Sequence, residues 1–83
     1  TYGNINDMAS ARIRAVMAAQ NIPVAKVAEV WHQSVDMASR RINGTVELKL
    51  SEIDAFASNT GYSQIDFLAD RFEIKMPALA DVA

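Results

Sequence analysis

Apolar residues recur along much of the chain at the three- and four-residue spacing of amphipathic helices. The first segment carries its apolar face at Ala9, Ile13, Val16 and Met17. Asp7 precedes this face, and because Asp is a favoured N-cap residue, it is the predicted cap of a first helix. The helix should end near Gln20-Asn21, since Asn tolerates the left-handed conformation that terminates helices.

A second and a third helix follow at short intervals. Pro23 fits the first turn of a helix over about residues 23–31, because its missing N–H would lack a partner there in any case. Ser34 is the predicted N-cap of a helix over about residues 34–43, and Asn43-Gly44 is a strong helix stop. Only two residues separate these helices, so they should cross at a steep angle.

The third helix should bury one face and expose the other. The small Ala28 suits the predicted crossing point, and the residues expected to close a shared core are Val27, Trp31, Ala38 and Ile42. The outward positions at helical spacing are then Val35, Asp36, Ser39, Arg40 and Asn43.

The sequence after Gly44 predicts two more helices. Residues 45–50 alternate only loosely and are extended or looped, and a fourth helix should run from Ser51 to Thr60-Gly61. A fifth, capped by Ser63, should contain Ile65, Phe67, Leu68 and Phe72. The expected fold class is all-α, a compact five-helix domain over residues 1–75 with a loose C-terminal tail at 76–83.

Composition excludes several classes of site. The chain has no Cys and one His, which excludes disulfides and thiolate or clustered-histidine metal sites. No Gly-rich phosphate loop is present, and no apolar run approaches the ~20 residues that span a bilayer. We therefore expect an intracellular, soluble non-enzyme with no metal, cofactor, small-molecule substrate or membrane partner. The carboxylates Glu52, Asp54, Asp66 and Asp70 should face solvent.

Charge is distributed unevenly although the net charge is only −2. Residues 1–46 hold five Lys and Arg against three Asp and Glu, whereas residues 47–83 hold three against seven. The net negative charge alone argues against nucleic-acid binding. Because residues 1–46 carry an excess of positive charge, however, this part of the chain is compatible with a polyanionic partner.

The outward face of the third helix carries side chains that suit the DNA major groove. Arg40 can bond guanine O6 and N7 in a fork, Asp36 can accept from cytosine N4, and Val35 can contact a thymine methyl. Ser39 completes the candidate base-contacting set. Asp36 has a second candidate role, since it lies four residues before Arg40 and can orient that guanidinium instead.

Arg41 points about 100° away from Arg40 on an ideal helix, which favours a phosphate contact. The simpler alternative is that both arginines complement the helix dipole.

The segment PVAKVAEVWHQSVDMASRRING, residues 23–44, resembles the helix-turn-helix of Cro/repressor-type DNA-binding domains. The segment ELKLSEIDAFASNTGYSQIDFL, residues 47–68, is similar to the fourth and fifth helices of that family. The resemblance implies a lambda-repressor-like fold and a phage or bacterial transcriptional regulator in the cytoplasm of the host cell. The sequence departs from the family at His32, where Gly is usual, and at Val24, where Gln is common. It also departs at Met17 and Ile42, where Arg and Glu are frequent.

The resemblance also implies a double-stranded DNA operator as the partner, read from the major groove. The candidate phosphate-contacting residues are Val24 through its backbone N–H, Lys26, Ser34, Arg41, Asn43, Thr45 and Lys49. The sequence does not choose between a homodimer, with half-sites ~34 Å apart, and a monomer on an asymmetric site. The alternative function is a small helical protein–protein interaction module without DNA binding.

Overall fold

Four α-helices and one short 3₁₀ turn make up the structure, a computed structural model that describes residues 4–74. The elements are α1 (Ile5–Gln20), α2 (Val24–Trp31), α3 (Val35–Ile42), α4 (Leu50–Thr60) and the 3₁₀ turn Gln64–Phe67. No strand occurs within residues 4–74, which confirms the all-α class. The predicted tail at residues 76–83 lies outside the described part of the chain.

The N-cap of α1 is Asn4, not Asp7 as predicted. The Asn4 Oδ1 atom accepts a hydrogen bond from the Asp7 backbone N–H at 2.9 Å. Asp7 therefore lies in the first turn, where its negative charge favours the positive end of the helix dipole. At the other end, the prediction is confirmed: Asn21 is left-handed with φ 55° and follows Gln20, the last helical residue.

The turn between α2 and α3 is tight because His32 adopts a left-handed conformation. Its φ is 55°, and the Gln33 N–H bonds the Ala28 carbonyl at 2.9 Å. A residue with a Cβ pays roughly 1–2 kcal/mol for this conformation, which explains why Gly is the easier choice there. Pro23 occupies the N-cap position of α2, one residue before the helical position that was predicted for it.

Both predicted ends of α3 are confirmed. Ser34 Oγ accepts the Met37 N–H at 3.1 Å as the N-cap, and the last helical residue is Ile42. Gly44 then has φ 87°, a backbone conformation that L side chains rarely adopt. A Cβ at Gly44 would lie 3.4 Å from Ser10 Oγ, so the turn also passes close to α1.

The start of α4 is one residue earlier than predicted, at Leu50 instead of Ser51. The Lys49 N–H donates to Glu52 Oε1 at 2.7 Å, which satisfies a backbone donor at the helix N-terminus. The helix ends at Thr60 before Gly61, as predicted, and Gly61 has φ 84°.

The predicted fifth helix is a single 3₁₀ turn, so the five-helix prediction is wrong in this respect. Ser63 lies at its N-cap position, but the turn ends at Phe67. Phe72 follows in irregular backbone, and its ring stacks on Tyr62 with centroids 5.6 Å apart. Aromatic packing therefore covers this side of the core without a helix.

The core lies between all four helices and the 3₁₀ turn. The predicted shared core of α2 and α3 is confirmed, since each member is buried: Val27, Trp31, Ala38 and Ile42. The α1 face is buried as predicted, with Ile13 and Val16 fully covered. Phe67 is also fully buried, while Leu68 and Phe72 pack against the core and stay half-buried.

Arg12 is a buried cation in α1 that the sequence pattern did not reveal. Its guanidinium donates to the backbone carbonyls of Asp66 at 3.1 Å, of Ala69, and of Asp70 at 3.3 Å. It also lies 5.2 Å from the Phe72 ring centroid, within the range of a cation–π contact. Arg12 therefore holds the segment that follows the 3₁₀ turn against α1.

Candidate nucleic-acid interface

The α2–α3 pair presents the outward face that the sequence predicts. Ala38 and Ile42 bury the inner side of α3, leaving its other side at the surface. Exposed residues on α3 and its C-cap are Val35, Asp36, Arg40 and Asn43, and Ser39 is half-buried. The candidate base-contacting residues are thus brought together on one short helix.

Asp36 and Arg40 form an ion pair on this face, with Asp36 Oδ2 3.1 Å from Arg40 Nε. Both side chains remain more than half exposed, so solvent screens the attraction and the pair contributes little stability. The contact with Asp36 is made through the Nε atom of the Arg40 guanidinium. Of the two roles predicted for Asp36, the orienting contact is present in the isolated chain.

Arg41 lies in different surroundings from Arg40. Its side chain is 13% exposed, and its Nε atom lies 3.1 Å from Glu52 Oε2. The geometry is that of an ion pair, because Nε makes no aligned hydrogen bond, while Nη1 donates to the Glu47 carbonyl. The guanidinium expected to contact phosphate is therefore directed inward.

Glu52 is 5% exposed, so the prediction that it faces solvent is wrong. Its carboxylate accepts from the Lys49 N–H and from Gln33 Nε2, in addition to pairing with Arg41. Its backbone carbonyl accepts from Trp31 Nε1 at 2.9 Å. The signal that indicates this site is a Glu at the third helical position, which commonly reaches back to the N-cap N–H.

The other candidate phosphate-contacting residues lie at or near the surface. Exposed members are Lys26, Ser34, Asn43, Thr45 and Lys49, and Val24 is half-buried in the first turn of α2. No side chain caps α2, because Pro23 at its N-cap position cannot accept a hydrogen bond through its ring. The first-turn N–H groups of α2 are therefore without a side-chain acceptor.

The cations of α2 and α3 are all paired with carboxylates. Lys26 lies 3.6 Å from Glu29 on the surface of α2. Arg40 pairs with Asp36, and Arg41 with Glu52. Since release of counterions by unpaired cations drives non-specific DNA affinity, this surface should bind random DNA weakly.

The described residues were also compared with the requirements of a metal site and of a membrane-spanning helix. Within residues 4–74, no three His, Asp or Glu side chains lie close enough to hold a metal ion. No helix in the same range has the length and apolar character needed to cross a bilayer.

Comparison with known proteins finds no matching family model, no matching curated protein and no matching solved structure. The resemblance of residues 23–44 to Cro/repressor-type domains therefore stays a prediction.

Proposed function

We propose that this chain is a sequence-specific double-stranded DNA-binding domain of a phage or bacterial transcriptional regulator, with α3 as its recognition helix. The observation that carries the proposal is the anchoring of α3. Two buried residues, Ala38 and Ile42, hold its inner side, while its polar residues stay accessible. A short helix held in this way after a tight turn suits entry into the major groove.

Arg40 is the principal base-reading residue in this proposal. Its pairing with Asp36 through Nε restricts the guanidinium and leaves Nη1 and Nη2 for the O6 and N7 atoms of a guanine. Val35 is 53% exposed and supplies an apolar contact for a thymine methyl. Ser39 and Asp36 lie at the same face, so one helix offers several kinds of base contact.

Phosphate contacts would position the domain without specifying sequence. Arg41 is left out of the proposed set because its side chain is buried against Glu52. The remaining phosphate-contacting groups are the Val24 backbone N–H, Lys26, Ser34, Asn43, Thr45 and Lys49. Lys26 must exchange its exposed partner Glu29 for a phosphate, which costs little because that pair is screened by water.

The proposed regulator acts in the cytoplasm of a bacterial host cell, most simply as a repressor that blocks transcription machinery at its operator. No cofactor takes part in this mechanism. A homodimer would read half-sites ~34 Å apart, and a monomer would read a single asymmetric site.

The second candidate is a helical protein–protein interaction module, and two observations favour it. Every cation of α2 and α3 already has a carboxylate partner, which weakens attraction to a polyanion. Within residues 4–74, three large apolar side chains besides Val35 are also more than half exposed: Ile5, Leu50 and Ile65.

Selection from random double-stranded DNA, followed by affinity measurements over a range of salt, separates the two functions. We expect an enriched sequence whose affinity falls as salt rises. A measurement of solution mass with and without that DNA then distinguishes monomer from dimer. If no DNA binds with salt-dependent affinity, DNA binding is refuted and the interaction module stands.

A further inference from the structure

We propose that Glu52 is a positioning residue that sets the orientation in which α3 meets its ligand. This inference rests on the proposed DNA-binding function. The carboxylate of Glu52 lies at the junction of three segments: the turn between α2 and α3, the last turn of α3, and the start of α4.

Each of the three segments contributes a polar partner to this carboxylate. Gln33, in the turn, donates through Nε2 to Glu52 Oε2. Arg41, in the last turn of α3, places Nε 3.1 Å from the same oxygen. Lys49, directly before α4, donates its backbone N–H to Oε1 at 2.7 Å. Movement of α3 relative to α4 would break at least one of these contacts.

Apolar packing fixes the inner side of α3, but few side chains take part in it. The helix has eight residues, and only two of its side chains, Ala38 and Ile42, are buried among the apolar core. Ala38 is small, so it restrains rotation about the helix axis poorly. The ion pair of Arg41 with Glu52 and the Arg14 Nη1 hydrogen bond to the Ile42 carbonyl both add to the restraint that these two residues provide.

The contact at Arg41 also determines where Arg40 points. Successive residues of an α-helix are about 100° apart around its axis. When Arg41 is held inward against Glu52, Arg40 is directed toward the exposed face, where it meets Asp36. The buried pair therefore orients the residue proposed to read guanine, although Glu52 itself touches no DNA.

The substitution Glu52→Gln tests this role. Glutamine keeps the side-chain length and the oxygen that accepts from Lys49, but an uncharged NH2 group replaces Oε2, which accepts from Gln33 and pairs with Arg41. We expect the ratio of affinities for the selected site and a scrambled site to fall by roughly tenfold, which is the effect expected when one base contact is lost. We also expect the released Arg41 to reach phosphate. The slope of log affinity against log salt for scrambled DNA should then steepen by about one.

Two variants serve as controls in the same measurements. Ile53→Val shortens a buried neighbour on α4 that makes none of these polar contacts, so it lowers stability without releasing Arg41. It should retain wild-type discrimination and the wild-type salt slope. The double variant Arg41→Gln, Glu52→Gln should lose discrimination but show no steeper slope, since the released cation is absent.

The inference is overturned if Glu52→Gln behaves like Ile53→Val in both discrimination and salt slope while circular dichroism shows both to be folded. If Glu52→Gln does not fold, Arg41→Gln removes the same pair from the other side and should lower discrimination by a similar factor; unchanged discrimination in that variant would overturn the inference.

Failure of the underlying function has a separate signature. If the wild-type chain binds no DNA at any salt, the DNA-binding proposal fails, and with it the ligand that α3 was inferred to meet. The junction itself is then judged by nuclear magnetic resonance. The side-chain resonances of Arg41 Nε–H and the Gln33 amide should shift in Glu52→Gln and not in Ile53→Val, and unshifted resonances would refute the positioning contact independently of DNA.

Discussion

Arg40 and Arg41 are neighbours in the chain, but their guanidinium groups face different surroundings. Arg40 pairs with Asp36 on an exposed face, where both side chains remain largely hydrated. Arg41 pairs with Glu52, and both side chains are mostly buried. An exposed pair exchanges partners at small cost, whereas a buried pair resists exchange because an unpaired buried charge is strongly unfavourable. The two arginines should therefore respond differently to a DNA ligand.

Removal of the Arg40 side chain tests its proposed base contact. In Arg40→Ala, binding to the selected site should weaken by about 1–3 kcal/mol, and the preference at one base pair should relax. A binding assay over a panel of single-base variants of the site measures both effects.

Lys49→Ala is the matched comparison, because Lys49 is exposed and assigned to phosphate alone. It should weaken binding to all sequences alike and reduce the salt slope by about one. If Arg40→Ala also weakens all sequences equally, Arg40 contacts phosphate and the proposed base reading is wrong.

Helix ends show how far local residues decide the elements. The ends at Asn21, Ser34 and Gly61 agree with the prediction, because the hydrogen bonds that define them join residues at most five apart in the chain. The sequence predicts the cap of α1 at Asp7, because Asp is a favoured N-cap and Asp7 precedes the apolar face. The observed cap at Asn4 adds nearly one turn before that face.

Substitution of Asn4 tests this cap. Asn4→Ala should destabilise the fold by about 1 kcal/mol, because the Asp7 N–H loses its acceptor, whereas Asn4→Gly should cost only a few tenths. Urea denaturation of the two variants measures the difference. A larger loss in Asp7→Ala than in Asn4→Ala would contradict the assignment of Asn4 as the cap.

At the scale of the whole molecule, polar contacts between distant segments complete the fold. Arg12 joins α1 to backbone carbonyls more than 50 residues later, and Arg14 Nη1 donates to the Ile42 carbonyl at the end of α3 at 2.7 Å. Asn6 Oδ1 likewise accepts the Leu48 N–H at 2.8 Å, which ties the loop before α4 to α1. Polar side chains of α1 therefore contact three later segments: the end of α3, the loop before α4 and the segment that follows the 3₁₀ turn.

Arg12→Met should destabilise the molecule by about 2–3 kcal/mol, since three carbonyls near a buried position lose a charged donor. Arg14→Met is the control, because Arg14 is exposed and makes one such hydrogen bond; its loss should be about 1 kcal/mol. Thermal and urea unfolding measure both, and an equal loss in the two variants would show that the buried network around Arg12 contributes nothing beyond a single hydrogen bond.

The sequence by itself determined the all-α class, the approximate extents of α1 to α4 and the inward face of the α2–α3 pair. These features depend on residue spacing and on caps, which act over one or two helical turns. Only the tertiary structure decided that Glu52 and Arg12 are buried, that Arg41 points inward, and that the last predicted helix is one 3₁₀ turn. Each depends on partners far along the chain. The position of Glu52 in the first turn of α4 indicates its local contact with the Lys49 N–H, but no local pattern indicates its contacts with Gln33 and Arg41.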